Sequence, residues 1–168
     1  MIMGTRPCDL DPGVAWYIMK SENLTPEQFN NLINHESGLL GISETSSDMR
    51  DLLKKESDDI RAAEAVELFC YLAKKWIGAY TAVLGGLDTL VFAGGIGENC
   101  PIIRSRICNG LGFLGLEIDN ESNISNNPVI SVDKGQVTIR VIHTDEELMI
   151  AKTVNQIIDH KIKIRHEK

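Results

Sequence analysis

A chain of 168 residues that is 43% hydrophobic and 24% charged has apolar material for a real core and a composition unlike a disordered segment. A formal charge of −7 argues against a phosphate-backbone partner, so no nucleic acid is expected. The cysteines Cys8, Cys70, Cys100 and Cys108 form no CxxC pair and no short histidine spacing. They point to a reducing compartment rather than to a metal site or a disulfide framework. No secretory signal pattern opens the sequence. The longest apolar stretch, Thr81 to Gly97, is interrupted by Asp88 and five glycines and does not suit a bilayer. A soluble, cytoplasmic protein is the expectation.

In chain order, residues 1 to 11 are short, polar and turn-rich and read as a loop. Asp11-Pro12 starts a helix through Val14, Trp16 and Ile18, since proline at the first helical position sacrifices no hydrogen bond. Thr25-Pro26 with Gln28 forms a capping box for a second helix whose inward stripe is Phe29, Leu32 and Ile33. Ser37 to Thr45 reads as loop, with glycines at 38 and 41. Ser47 or Asp48 caps a short helix carrying Met49, Leu52 and Leu53. The longest helical pattern runs from Asp58 to about Leu84, with apolar residues three and four apart, and Gly85-Gly86 ends it.

Thr89 to Ala93 is a short apolar run between Asp88 and Gly94 and reads as a buried strand. Gly94 to Asn99 then reads as a turn into a helix at Pro101. Shorter strands are expected near Leu114 to Ile118, Ile130 to Val132 and Val137 to Ile142, with Asn120 to Pro128 a polar surface loop. Thr144 and Glu147 suggest a second capping box for a last helix to about Asp159, followed by a solvated basic terminus at 160 to 166. The alternation of helix and strand implies one layered α/β domain over residues 1–168, with helices packed on a mixed sheet.

Three places carry possible chemistry. Gly94-Gly95-Ile96-Gly97-Glu98-Asn99 joins a strand end, a glycine turn and a helix start, where backbone can approach an anion. It equally suits a tight turn with no ligand, and it has neither G-x-G-x-x-G spacing nor the G-K-[ST] of a P-loop. Arg6 lies beside Asp9 and Asp11. Held by those carboxylates it would present its fork to a phosphoryl group, but a surface salt bridge is the commoner fate of such an arginine. Glu146 and Glu147 open the last helix. If Glu147 completes the capping box, Glu146 is left to meet a hard cation such as Mg²⁺. Asp48-Met49-Arg50 is first a helix start. His143 is assigned no catalytic role.

Four segments taken together and in order resemble the acetate and propionate kinase family, within the sugar kinase, Hsp70 and actin superfamily. They are Met3 to Pro12, Ser37 to Ser43 with Ser46 to Asp51, Phe92 to Asn99, and Val141 to Ala151. The resemblance covers roughly residues 1 to 155. It implies a ribonuclease-H-like half-domain of that superfamily, a mixed sheet flanked by helices and incomplete at its N-terminal side. It implies Arg6 as the stabiliser of the phosphoryl group in flight and Glu146 as the magnesium-associated glutamate. Asp48, Met49 and Arg50, with Gly95, Ile96, Gly97, Glu98 and Asn99, would be the two segments that hold ATP or ADP.

The implied reaction transfers the γ-phosphoryl group of ATP to acetate, giving acetyl phosphate and ADP. Pro7-Cys8 stands where the family has a small residue and then glycine after the arginine, and His143 stands where proline is usual. The family's N-terminal domain, with its acid pocket, has no counterpart in these motifs. The expectation is therefore an acetate- or propionate-binding kinase only together with that N-terminal part, in a homodimer or a complex with it. A nucleotide-binding or dimerising module without turnover is the competing reading.

Overall fold

The computed structural model describes residues 1–166, with side chains described as far as residue 158. The elements are α1 (Pro12–Ser21), α2 (Pro26–His35), α3 (Gly38–Ser43), α4 (Met49–Lys55), α5 (Ile60–Leu84), β1 (Thr89–Phe92), α6 (Gly94–Asn99), α7 (Pro101–Cys108), α8 (Asn120–Ile124), β2 (Thr138–Val141) and α9 (Glu146–His166). A single 3₁₀ turn, Gly112–Leu114, lies between α7 and α8.

The helix starts follow from local chemistry. Asp11 accepts from the Gly13 and Val14 amides, Thr25 and Gln28 form the reciprocal capping box, and Asp48 and Asp59 cap α4 and α5. The core lies where α5 crosses α3, α4 and α7. Ala62, Ala65, Val66, Phe69, Cys70 and Ala73 of α5 are buried against Leu39, Met49, Leu52, Ile103 and Ile107. Small alanines on α5 let the neighbouring helices approach closely.

The sheet is smaller than the sequence suggests. β1 and β2 pair in parallel, Thr89 opposite Thr138 and Phe92 opposite Val141. Of the other expected strands, Leu114 to Ile118 and Ile130 to Val132 contribute only isolated antiparallel bridges, Ile118 with Ser131 and Val129 with Arg140. Residues 128 to 130 line the far edge of β2, where the Ile130 amide donates to the Ile139 carbonyl at 2.8 Å and Val141 to Pro128 at 3.0 Å. β1 is not the buried strand expected: of its four residues only Phe92 is buried.

Four more readings are corrected. Ser37 to Thr45 is not a loop but contains α3, because its free amides find backbone acceptors in the opening segment. Ser37, Leu39 and Leu40 donate to the carbonyls of Thr5, Met3 and Gly4 at 3.0, 2.9 and 2.9 Å. Asn120 to Pro128 is not a plain loop either: Asp119 caps α8 through the Ser122 amide. The last helix is not opened by a Thr144 box. Asp145 accepts from the Leu148 amide at 2.8 Å, and the Thr144 hydroxyl donates to Glu98 instead. The same helix continues past Asp159 to His166, and the side chains of the basic run 160 to 166 lie outside the described residues.

Gly38 makes the contact between α3 and the opening loop possible. Its φ is +67°, and a Cβ there would stand 2.3 Å from the Met3 carbonyl oxygen and 2.7 Å from the Arg6 nitrogen. Both the backbone sign and the space demand glycine. Gly38→Ala is expected to lower unfolding stability by about 2 kcal/mol or more, read by urea denaturation; an unchanged midpoint would refute the packing described.

Candidate functional site

β1 and β2 run in parallel, so their C-terminal ends open on one side, the side where α/β sheets place ligands. Phe92 leads directly into α6, and Val141 leads through His143 and Thr144 into α9. Gly94 to Asn99 is therefore a six-residue helix rather than a turn, separated from α7 by a break at Cys100.

The carboxylate of Glu98 joins these two strand exits. Its side chain is 7% exposed. It accepts from the Gly94 amide at 2.9 Å, from the Thr144 amide at 2.9 Å and from the Thr144 hydroxyl at 2.8 Å, and it also pairs with His143 Nδ1. The Thr144 bonds first, then His143 and the Gly94 amide, hold the carboxyl well below its ordinary 4.5, at about 2. The first amide of the glycine segment is thus committed internally, where the sequence suggests a free anion-binding group.

Arg104 grips the other end of α6. Its guanidinium is fully buried and, among the described residues, has no carboxylate partner and is satisfied by neutral acceptors. It donates to the Gly97 and Glu98 carbonyls at 2.8 and 2.9 Å, to Asn123 Oδ1 and the Asn123 carbonyl at 2.7 Å each, and to Asn126 Oδ1 at 2.5 Å. Burial lowers its pKa from the ordinary value. The acceptors on α6 lie at its C-terminal end, where the helix dipole favours a cation. Asn123, itself buried, also donates to the Pro101 carbonyl at 3.0 Å and to Ser105 Oγ at 2.9 Å.

Between α4 and α6 lies a cleft of about 560 Å³ lined by Ser47, Asp48, Met49, Arg50, Gly95, Ile96, Asn99 and Cys100. Six of the eight residues expected to hold a nucleotide thus share one cavity. Asp48 accepts from the Arg50 amide at 2.8 Å and pairs with the Arg50 guanidinium at 2.5 to 3.2 Å, which holds its carboxyl at about 2. The Arg50 side chain lies against the cleft largely exposed. Met49 is buried, and Asn99 folds its amide back to the Gly95 carbonyl at 3.0 Å. Gly95 faces open space: a Cβ there meets nothing within 4 Å.

The two remaining residues stand behind this wall. Glu98 is the clamp already described, and a Cβ at Gly97 would press on the Phe92 backbone at 3.3 Å.

Arg6 and Glu146 line no part of this cleft. Arg6 is exposed in the loop that packs on α3. Neither Asp9 nor Asp11 holds it, because Asp11 caps α1; among the described residues its guanidinium has no ion-pair partner. Two residues on, Cys8 has φ +73°, the left-handed backbone that glycine takes without strain. Glu146 is exposed at the first position of α9, on the side of the sheet where both strands end. Among the described residues no group of three His, Cys, Asp or Glu side chains is arranged to hold a metal. A single hard carboxylate suits Mg²⁺ arriving on phosphate oxygens, not a resident cage.

The acetokinase family matches residues 1–152. This chain belongs to that family. It is 47% identical over 164 residues to an acetate kinase of Symbiobacterium thermophilum, covering 96% of this chain and 41% of that relative. It is 46% identical over 158 residues to a propionate kinase of Citrobacter koseri, covering 94% and 39%. The crystal structure of Porphyromonas gingivalis acetate kinase superposes with a TM-score of 0.84 at 40% identity, over 94% of this chain and 41% of that one. The chain thus spans about two fifths of the length of the curated relatives it matches, a partial α/β half-domain of their fold. Among the described residues no helix is long and apolar enough to cross a membrane.

Sequence reasoning missed Arg104 and Asn123 and read Thr144 as a local helix cap; all three carry the internal clamps. It passed over Cys100, whose position in the wall follows from the break between α6 and α7.

Glu98 supplies a pH prediction. Because its folded value is below 4.5, its contacts stabilise the fold above that pH and are lost as pH falls from about 4.5 through about 2. Over that interval the melting temperature of the wild type is expected to fall more steeply than that of Glu98→Gln, which already melts lower at pH 7. Parallel curves would show that the carboxylate is not the link.

Proposed function

We propose that this chain supplies the nucleotide-holding part of a carboxylate kinase, which transfers the γ-phosphoryl group of ATP to acetate or a similar short-chain acid. The observation that carries the reading is the α4–α6 cleft, where two sequence segments far apart in the chain meet with Gly95 facing open space. An adenosine group would sit between Asp48-Met49-Arg50 and Gly95-Ile96 with Asn99, its phosphates running toward the ends of β1 and β2. In the reaction a carboxylate oxygen bonds to the γ-phosphorus as the bond to the ADP oxygen breaks. Catalysis then rests on positioning and charge neutralisation.

Arg6 would donate to the equatorial oxygens of the transferring group, a role that in comparable phosphoryl-transfer enzymes is worth roughly 10³-fold or more. Glu146 would hold the Mg²⁺ that accompanies the nucleotide, which supplies charge neutralisation when bound. The acid pocket lies in the part of the family protein outside this chain, so turnover requires that part. A second reading, a nucleotide-binding or dimerising module without turnover, draws on the strained Cys8 backbone two residues after Arg6.

Calorimetric titration of the chain with Mg-ADP is expected to give a saturable isotherm. Gly95→Ala should weaken it at least about tenfold, roughly 1.4 kcal/mol, without lowering the melting temperature, since alanine is the better helix former and meets no protein atom. No heat with the wild type would sink the proposal.

In the chain assembled with an acid-binding part, Arg6→Ala is expected to cut acyl phosphate formation about 10³-fold with Mg-ADP affinity unchanged. An equal loss in both would assign Arg6 to nucleotide binding. Normal turnover by the chain alone would overturn the division of labour.

A further inference from the structure

The sequence contains a single Asn-Gly step, Asn109-Gly110, and no Asp-Gly step. Asparagine is a chemically labile residue, and its lability is greatest where the next residue has no side chain to shield the backbone nitrogen. The structure places the step in the turn that ends α7. Residues 108 to 111 form a type II β-turn: Asn109 has φ −58° and ψ 125°, Gly110 has φ +84°, and the Leu111 amide donates to the Cys108 carbonyl at 3.0 Å. The positive φ is one that glycine takes without strain.

The bond that closes the turn uses its first carbonyl and its last amide and leaves out the peptide between them. Among the described residues, neither the Asn109 carbonyl nor the Gly110 amide makes a backbone bond. Other asparagine side chains are tied down: Asn99 to the Gly95 carbonyl, Asn34 to Asn30, and Asn123 and Asn126 to Arg104. The Asn109 carboxamide is exposed and makes no such bond among the described residues. Beside it lies a cavity of about 510 Å³, lined by Ser105, Arg106, Asn109, Gly110 and Asn120, with room for water. A Cβ at Gly110 would meet nothing within 4 Å, so no protein atom crowds the nitrogen's neighbour.

We infer that Asn109 is a site of spontaneous deamidation in the folded chain, with water as co-reactant, and that the product loosens the end of α7. The peptide between Asn109 and Gly110 rotates toward the side chain, a motion that breaks no hydrogen bond. The Gly110 nitrogen gives its proton to hydroxide and attacks the Asn109 side-chain carbonyl carbon. The new C–N bond closes a five-membered succinimide, and ammonia leaves. Water then adds to one ring carbonyl and its bond to the Gly110 nitrogen breaks. Hydrolysis at the side-chain carbonyl gives aspartate, and hydrolysis at the backbone carbonyl gives isoaspartate. Either product puts a carboxylate at the C-terminus of α7, where the helix dipole disfavours an anion. Isoaspartate also adds a methylene to the backbone of a turn whose flanks, Cys108 and Leu111, are buried. α7 carries Arg104, so the altered turn ends the helix that supports α6. None of this depends on what the α4–α6 cleft binds.

The test holds the purified, reduced chain at physiological temperature and mildly alkaline pH for days to weeks and maps its peptides by mass. The peptide containing Asn109 is expected to gain about 1 Da and to split into aspartate and isoaspartate forms, at least about tenfold faster than any other asparagine of the chain. Asn109→Gln, which would have to close a six-membered ring, should keep its mass at that position. The aged wild type is expected to melt below the fresh protein, whereas aged Asn109→Gln melts with its own fresh sample. The wild-type mass map stands by itself should the variant fold poorly. An unconverted Asn109, conversion no faster than at the other asparagines, conversion confined to the chain in urea, or a converted chain that melts with the fresh one would overturn the inference.

Discussion

The site depends on one buried carboxylate. β1 and β2 are four residues each, too short to fix the segments that leave them, and β1 runs straight into a helix of six residues, three of them glycine. Such a helix has poor intrinsic propensity and less than two turns over which to recover the cost of nucleation. Glu98 resolves both problems. From the body of α6 it reaches back to the Gly94 amide and across to Thr144, so helix start and strand exits are set by one anion. Arg104 holds the far end through the last carbonyls of the same helix. Two opposite charges thus pin a glycine-rich helix from its two ends without meeting each other as side chains. The result is a rigid wall whose outward face stays bare at Gly95.

The rigidity is borrowed from elements remote in sequence. Arg104 is satisfied by Asn123 and Asn126, so α8 and the turn after it belong to the support of α6. The opposite wall is anchored differently. Asp48 caps α4 and pairs with Arg50, Met49 is sunk in the core, and the opening loop is stitched to the first amides of α3 by three backbone bonds. Arg6 is carried on that stitched loop, so its placement is a backbone property fixed at Gly38, while its own side chain makes no ion pair among the described residues.

Much of this was legible in the residues, for reasons that separate cleanly. Proline starts, aspartate caps and the long three-and-four spacing of α5 are local signals, and the structure keeps them. The two segments lining the cleft were legible through their joint resemblance to a family, since a glycine run or an Asp-Met-Arg step alone is ambiguous. What escaped was long-range and polar. Arg104 and Asn123 look like surface residues, and only a fold that buries them gives them a role. α3 was hidden because its helix amides are capped by a loop more than thirty residues earlier. The Thr144 box failed because the tertiary carboxylate of Glu98 takes the threonine amide that Glu147 would accept from in such a box, and the threonine hydroxyl as well. The missing strands at 114 to 118 and 130 to 132 failed for the opposite reason: apolar runs that satisfy packing need not complete a ladder.

The molecule is finished in one place and open in another, and the two states differ in kind. Around the α4–α6 cleft, the buried polar groups of Glu98, Arg104 and Asn123 have partners within the chain. Along β1 and the C-terminal half of α5, an indole N–H is buried without an acceptor, Val91 faces out uncharged, and Val83 and Leu84 are more than 70% exposed. Polar completeness is costly to fake, because each unsatisfied buried group is worth about 1–3 kcal/mol. Among the described residues the matching is kept around the α4–α6 cleft and broken at Trp76.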